Sequence, residues 1–142
     1  MLRLLLVALA FLNLATGAIA VQDNSPTQYR VEKDLPYVGE AKPTTAYQLE
    51  RCRLDLYYPQ GKTAFATVVW FHGGGLTGGN RHITTGLQNQ GLAIVAVNYH
   101  LSPKATCPAY IEDAAAAVAG TFRNIAAHRD APARRGRGRR RL

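Results

Sequence analysis

The sequence predicts an α/β fold in which a mostly parallel sheet is flanked by helices. Two apolar runs, residues 67–71 and 92–99, are rich in β-branched side chains and are typical of strands buried on both faces. A glycine-rich loop and a weakly helical segment separate them. This order predicts a βαβ unit, whose two strands run parallel. With 142 residues, the chain forms one domain at most.

The loop at residues 72–79, hereafter the glycine loop, starts at a histidine and contains five glycines. Such crowding indicates positive φ angles or a close approach of the backbone to another group. Ligands of open parallel sheets bind at the carboxyl ends of strands, where this loop lies. One interpretation is a glycine-rich turn without chemistry. A second is a dinucleotide site, because Gly73, Gly75 and Gly78 satisfy G-x-G-x-x-G; however, Asn98 ends the next strand, where that signature requires an acidic residue.

The third interpretation rests on a resemblance. The segment His72-Gly73-Gly74-Gly75 resembles the HGGG oxyanion motif of lipases and carboxylesterases with the α/β-hydrolase fold. Residues 54–59 and 99–104 and a helix over 110–127 resemble segments of the same family in the same order. His100 stands where the family usually has an arginine, which commonly pairs with an acid at the Asp113 position. The resemblance covers residues 47–127 and identifies them as the N-terminal part of an α/β-hydrolase domain.

The resemblance implies hydrolysis of a small carboxylic ester through an acyl-enzyme, without a cofactor. The backbone N–H groups of Gly74 and Gly75 would donate to the oxyanion, while His72 and Gly73 would support the loop. The nucleophile belongs in a G-x-S-x-G elbow after the next strand, but neither serine, Ser25 or Ser102, is flanked by glycines. We therefore expect the Ser/Asp/His triad to be missing, the fold to be truncated before the nucleophile strand, and this form to be inactive. Strand 67–71 would then form an exposed apolar edge, which predicts poor solubility.

Residues 1–20 are typical of a signal peptide. Arg3 precedes an apolar stretch over residues 4–14, and Ala18 and Ala20 give the small-x-small pattern of a cleavage site. The apolar stretch is short for a membrane span, which needs about 20 residues. We expect export to the periplasm or the medium, and no membrane span in the mature chain.

The last segment, residues 128–142, holds seven of the 17 basic residues and one of the nine acidic ones. The net charge of +8 therefore falls to +2 for residues 1–127 and gives no reason to expect nucleic acid binding. We interpret this arginine- and glycine-rich tail as the product of a frameshift near residue 128. The alternative is a basic arm that binds RNA or anionic surfaces, on a non-catalytic binding protein.

The other segments give weaker signals. Residues 21–46 are polar and proline-rich and predict an extended arm, residues 52–57 alternate as a half-exposed strand, and residues 81–90 predict a weak helix that ends at Gly91. The helix after Pro108 carries an apolar stripe that we expect to pack on the sheet, formed by Ile111, Ala115, Val118, Phe122 and Ile125.

The two cysteines leave two possibilities open. Cys52 and Cys107 either form one disulfide in the exported protein or remain free thiols. No metal site is expected from the histidines, since they share no ligand spacing: His72, His82, His100 and His128.

Overall fold

A computed structural model describes residues 26–38 and 45–129. The predicted signal peptide, the arm at residues 21–25 and 39–44, and the tail from residue 130 lie outside these residues. The described chain forms one four-stranded sheet of order β1-β2-β4-β3. Its strands are β1 (Tyr29–Pro36), β2 (Arg53–Pro59), β3 (Thr67–Phe71) and β4 (Ala93–Val97).

The sheet is mixed. β3 and β4 run parallel, with Thr67 opposite Ala93 and Phe71 opposite Val97, as the two apolar runs predicted. The expectation of a mostly parallel sheet was nevertheless wrong, because β1–β2 and β2–β4 are both antiparallel. Only seven residues, 60–66, join β2 to β3. A connection this short reverses the chain rather than carrying it over the sheet, so β2 runs against β3 and its parallel neighbour β4.

β2 lies in the interior of the sheet. The predicted alternation holds at its start, where Arg53 and Asp55 are half-buried and Leu54 and Leu56 are buried. It ends at Tyr57 and Tyr58, which are both buried. β1, contributed by the arm, pairs along one edge of β2 while β4 pairs along the other. β3, by contrast, lies at the edge of the described sheet. Poor solubility caused by that edge stays a prediction.

Two short helical segments differ from the sequence prediction. α1 (Ala46–Arg51) was not predicted; the Thr45 side chain caps its start by accepting a hydrogen bond from the Gln48 N–H at 3.1 Å. The helix predicted at residues 81–90 is wrong, since only the 3-10 turn Thr85–Leu87 forms there. Thr84, Thr85 and Gly86 are poor helix formers, and they interrupt the segment at its centre.

α2 (Ala109–Asn124) confirms the predicted helix and continues into the 3-10 turn Ile125–His128. The predicted packing stripe was wrong at Ile111 and Phe122, which are 60% and 80% exposed, whereas Val118 is half-buried and Ile125 is buried. Ala117 is fully buried instead, and Gly120 lies close to Tyr37. Small residues let the helix backbone approach the sheet closely, and this approach turns the bulky stripe outward.

The described cysteines are both free, with Cys52 buried and Cys107 exposed, so the disulfide alternative does not hold in this structure. Across the described ranges, no helix has the length and hydropathy needed to cross a membrane.

Candidate functional site

The glycine loop follows β3 at its carboxyl end. The Gly74 carbonyl closes the loop by accepting hydrogen bonds from the N–H groups of Thr77 and Gly78 at 3.1 and 3.2 Å. The Thr77 hydroxyl donates to the same oxygen at 3.1 Å. The backbone N–H of Ser102 holds the far side by donating to the Leu76 carbonyl at 2.8 Å. The loop is therefore a closed turn tied to the segment after β4.

Two glycines of the loop have no room for a side chain. Gly74 has φ +121°, and an added Cβ would collide with the Gly78 carbonyl. Gly79 has φ +104°, and an added Cβ would collide with the Gly73 carbonyl and the His72 ring. Gly75 has open space around it but also lies in the left-handed region, at φ +61°. Gly73 has neither restriction, so the requirement for glycine differs along the motif.

The amides of Gly74 and Gly75 are the predicted donors to an oxyanion. In the described part of the chain, neither N–H donates a hydrogen bond to a backbone or side-chain group. Both glycines are exposed, so water or a ligand can accept from these amides. These two amides are consequently available to an external acceptor at the end of β3.

His72 is buried and its two ring nitrogens contact the loop and its surroundings. Nδ1 lies 2.7 Å from the Gly73 carbonyl oxygen, so the proton is on Nδ1 and donates there. Nε2 then accepts from the guanidinium of Arg51 at 3.3 Å. The imidazole stacks on the Tyr99 ring with centroids 4.6 Å apart, and the Tyr99 hydroxyl donates to the His72 carbonyl at 2.7 Å. His72 is thus fixed from all sides.

Arg51 is a residue of this site that the sequence did not reveal. It is only 6% exposed and donates to the carbonyls of Tyr99 and Gly79 at 3.0 and 3.2 Å and to the Asn80 side chain at 2.9 Å. In the sequence it looks like a solvent-exposed charge before a strand. Its inward direction depends on α1. Thr45 and Gln48 fit the S/T-x-x-E/Q capping pattern, which is the signal that could have predicted this helix.

A second polar cluster lies between the sheet and α2. The Asp113 carboxylate accepts from the His100 N–H at 2.8 Å and lies 2.6 Å from His100 Nδ1, which confirms the predicted contact of these residues. The Cys52 thiol, which was not foreseen as a partner, donates to the other carboxylate oxygen at 3.3 Å. Burial raises the pKa of this thiol to about 12, against a smaller lowering effect of its hydrogen bond with Tyr37.

The segment after the glycine loop bears on the dinucleotide interpretation. That signature needs a helix that opens directly after the glycines, with its N-terminus facing the pyrophosphate. Here residues 80–84 are irregular and only the short Thr85–Leu87 turn follows. The loop therefore lacks the helix N-terminus that a dinucleotide site requires.

Comparison with known families identifies the domain. The BD-FAE family model, which describes an esterase-associated α/β-hydrolase domain, matches residues 54–129, more than half of the chain. The chain belongs to the BD-FAE family. The BD-FAE match runs from β2 through α2 and includes the glycine loop, whereas β1, α1 and Arg51 lie outside it.

Solved structures similar to this BD-FAE chain are esterases. An inhibited form of esterase B from Lactobacillus rhamnosis is 26% identical with a TM-score of 0.58, and the match covers 72% of this chain and 32% of that one. The truncated form of a carbohydrate esterase from gut microbiota shares the fold, at 20% identity and a TM-score of 0.54, over 78% of this chain and 38% of that one. The BD-FAE chain thus spans about a third of the length of esterase B. No curated protein matches it.

Proposed function

We propose that this BD-FAE chain forms the oxyanion-binding part of a hydrolase that acts on small carboxylic esters. The proposal rests on the amides of Gly74 and Gly75. They donate no hydrogen bond within the described residues, and a closed loop presents them at the carboxyl end of β3. Acyl transfer to water or a serine places negative charge on the carbonyl oxygen of the ester. Backbone N–H groups held in place beforehand stabilise that charge without reorganising during the reaction.

The surroundings of the loop support this role. His72 donates to the Gly73 carbonyl and accepts from Arg51, so neither ring nitrogen is available to take a proton from a nucleophile. We infer that His72 and Gly73 support the loop and that His72 is not the catalytic base. The Arg51 guanidinium also lies within hydrogen-bonding distance of the Gly79 carbonyl, which fixes the end of the loop.

We further propose that the 142-residue chain does not hydrolyse esters unaided, because its sequence contains no G-x-S-x-G nucleophile elbow. The hydrolysis of p-nitrophenyl acetate by the purified chain is expected to equal the rate of the urea-unfolded chain at the same concentration. A faster rate that disappears in Ser102→Ala would contradict this proposal and would identify Ser102 as the nucleophile.

The function of the loop itself is testable by transplantation. Residues 72–79 would replace the corresponding segment of esterase B from Lactobacillus rhamnosis, one of the proteins whose solved structures are similar to this chain. If the Gly74 and Gly75 amides bind an oxyanion, the chimera should keep kcat/KM within about tenfold of esterase B, less than the roughly 10²–10³ lost with one donor. A folded chimera with a loss of that larger size would contradict the proposed role.

A further inference from the structure

Three different metal-ligating side chains converge between the sheet and α2. Cys52 directly precedes β2, His100 follows β4, and Asp113 lies in the second turn of α2. One ligand atom from each lies within 4.8 Å of the other two. All three residues are buried, with exposures of 3%, 9% and 4%. Because they come from three separate elements, it is the tertiary fold that assembles this cluster.

We propose that Cys52, His100 and Asp113 bind a Zn²⁺ ion. A thiolate, an imidazole and a carboxylate are all zinc ligands, with bond lengths of about 2.0–2.3 Å, which place tetrahedral ligands roughly 3.3–3.8 Å apart. Cys52 Sγ lies 3.3 Å from Asp113 Oδ1 and 3.9 Å from His100 Nδ1. These separations are close to the required ones without a change in the fold.

The second carboxylate oxygen already has a partner that would orient the ligand. Asp113 Oδ2 accepts the backbone N–H of His100 at 2.8 Å, which leaves Oδ1 facing the thiol. Hydrogen bonds of this kind hold metal-ligating carboxylates in position. Nδ1 of His100 lies 2.6 Å from Oδ2 and holds the proton of that contact, which would have to move to Nε2 or to the solvent before Nδ1 binds the metal.

The charge and the ligand types of the cluster favour a divalent ion that binds thiolate ligands. On binding, the thiol proton passes to the solvent, and the thiolate and the carboxylate together neutralise Zn²⁺, so no net charge remains buried. Mg²⁺ and Ca²⁺ prefer to be bound by several oxygen ligands, whereas the only oxygen ligand in this cluster is the Asp113 carboxylate. Three protein ligands leave the fourth tetrahedral position to a water molecule.

Cobalt absorption tests the proposal on the full chain. Cys107→Ser removes the exposed thiol and leaves Cys52 as the only cysteine, so a thiolate-to-cobalt band can then arise only from Cys52. After treatment with a chelator, this variant is expected to bind one equivalent of Co²⁺ with such a band, and Zn²⁺ should abolish it by displacement. Absence of the band in the folded variant would overturn the proposal.

Two further variants separate a metal site from a hydrogen-bonded network. In the Cys107→Ser background, Cys52→Ser should abolish the band. His100→Arg keeps a cation beside Asp113 and so preserves a purely ionic contact, but it removes the imidazole ligand; we expect Zn²⁺ affinity to fall at least tenfold. His100→Arg should also lose the rise in Tm that Zn²⁺ gives its parent. Unchanged Zn²⁺ affinity in folded His100→Arg would contradict the proposed ligand set.

Discussion

Arg51→Ala is expected to lower the free energy of unfolding by about 3 kcal/mol, since it removes a buried guanidinium that donates to the buried Tyr99 carbonyl and to two part-buried acceptors. The carbonyls of Tyr99 and Gly79 and the Asn80 amide oxygen would all lose the guanidinium. Urea unfolding followed by the fluorescence of Trp70, the only tryptophan, measures the change. Arg51→Lys should recover only part of the loss, because an ammonium cannot reproduce the spread of the guanidinium donors.

Arg53→Ala is the matched control. Arg53 lies two residues away and contacts Asp34, but its side chain is 28% exposed and that of Asp34 is 66% exposed. An exposed ion pair of this kind contributes about 0–1 kcal/mol. Equal destabilisation by Arg51→Ala and Arg53→Ala would show that burial of Arg51 under the glycine loop has no energetic importance.

Gly74→Ala is expected to have the largest effect on catalysis. Its Cβ would collide with the Gly78 carbonyl, and its φ of +121° is unfavourable for any residue with a side chain. The turn that presents the amides must therefore open. In the esterase B chimera, the substitution should lower kcat/KM by roughly 10²–10³, the usual effect of losing an oxyanion donor.

Gly73→Ala serves as the control for this prediction. Gly73 has open space for a Cβ, and the φ angle of Gly73 is not in the left-handed region. The Gly73→Ala chimera should therefore keep nearly all of its activity. Circular dichroism of both variants checks that the chimera remains folded. If Gly73→Ala and Gly74→Ala reduced kcat/KM equally, the detailed shape of the loop would not explain the requirement for glycine.

Local patterns predicted the parts of the fold that depend on neighbours in sequence. The run at residues 67–71 matched β3 residue for residue, and the glycine loop was found because its composition is unusual at any strand end. The antiparallel pairing of β2 was missed because it depends on which strands lie beside β2. The residue pattern within β2 does not reveal its neighbours. The exposure of Phe122 was missed because helix orientation was decided by close packing at Ala117 and Gly120.

Polar contacts over long sequence separations were the hardest to anticipate. Cys52 is 48 residues from His100 and 61 from Asp113, and no spacing rule connects these positions. Only the contact of His100 with Asp113 was anticipated, through the resemblance to esterases. Arg51 reaches Tyr99, also 48 residues away, from a helix that the sequence did not predict.

Within residues 26–38 and 45–129, the hydrogen bonds that shape the glycine loop come from a single uninterrupted stretch of the chain. Arg51 is its first contributor and Ser102, which binds the Leu76 carbonyl, is its last. During synthesis, the loop can therefore take its shape as soon as about 50 residues have become available to fold, since chains form their N-terminal units first. A partner segment supplied as a separate polypeptide would therefore meet a loop that is already formed.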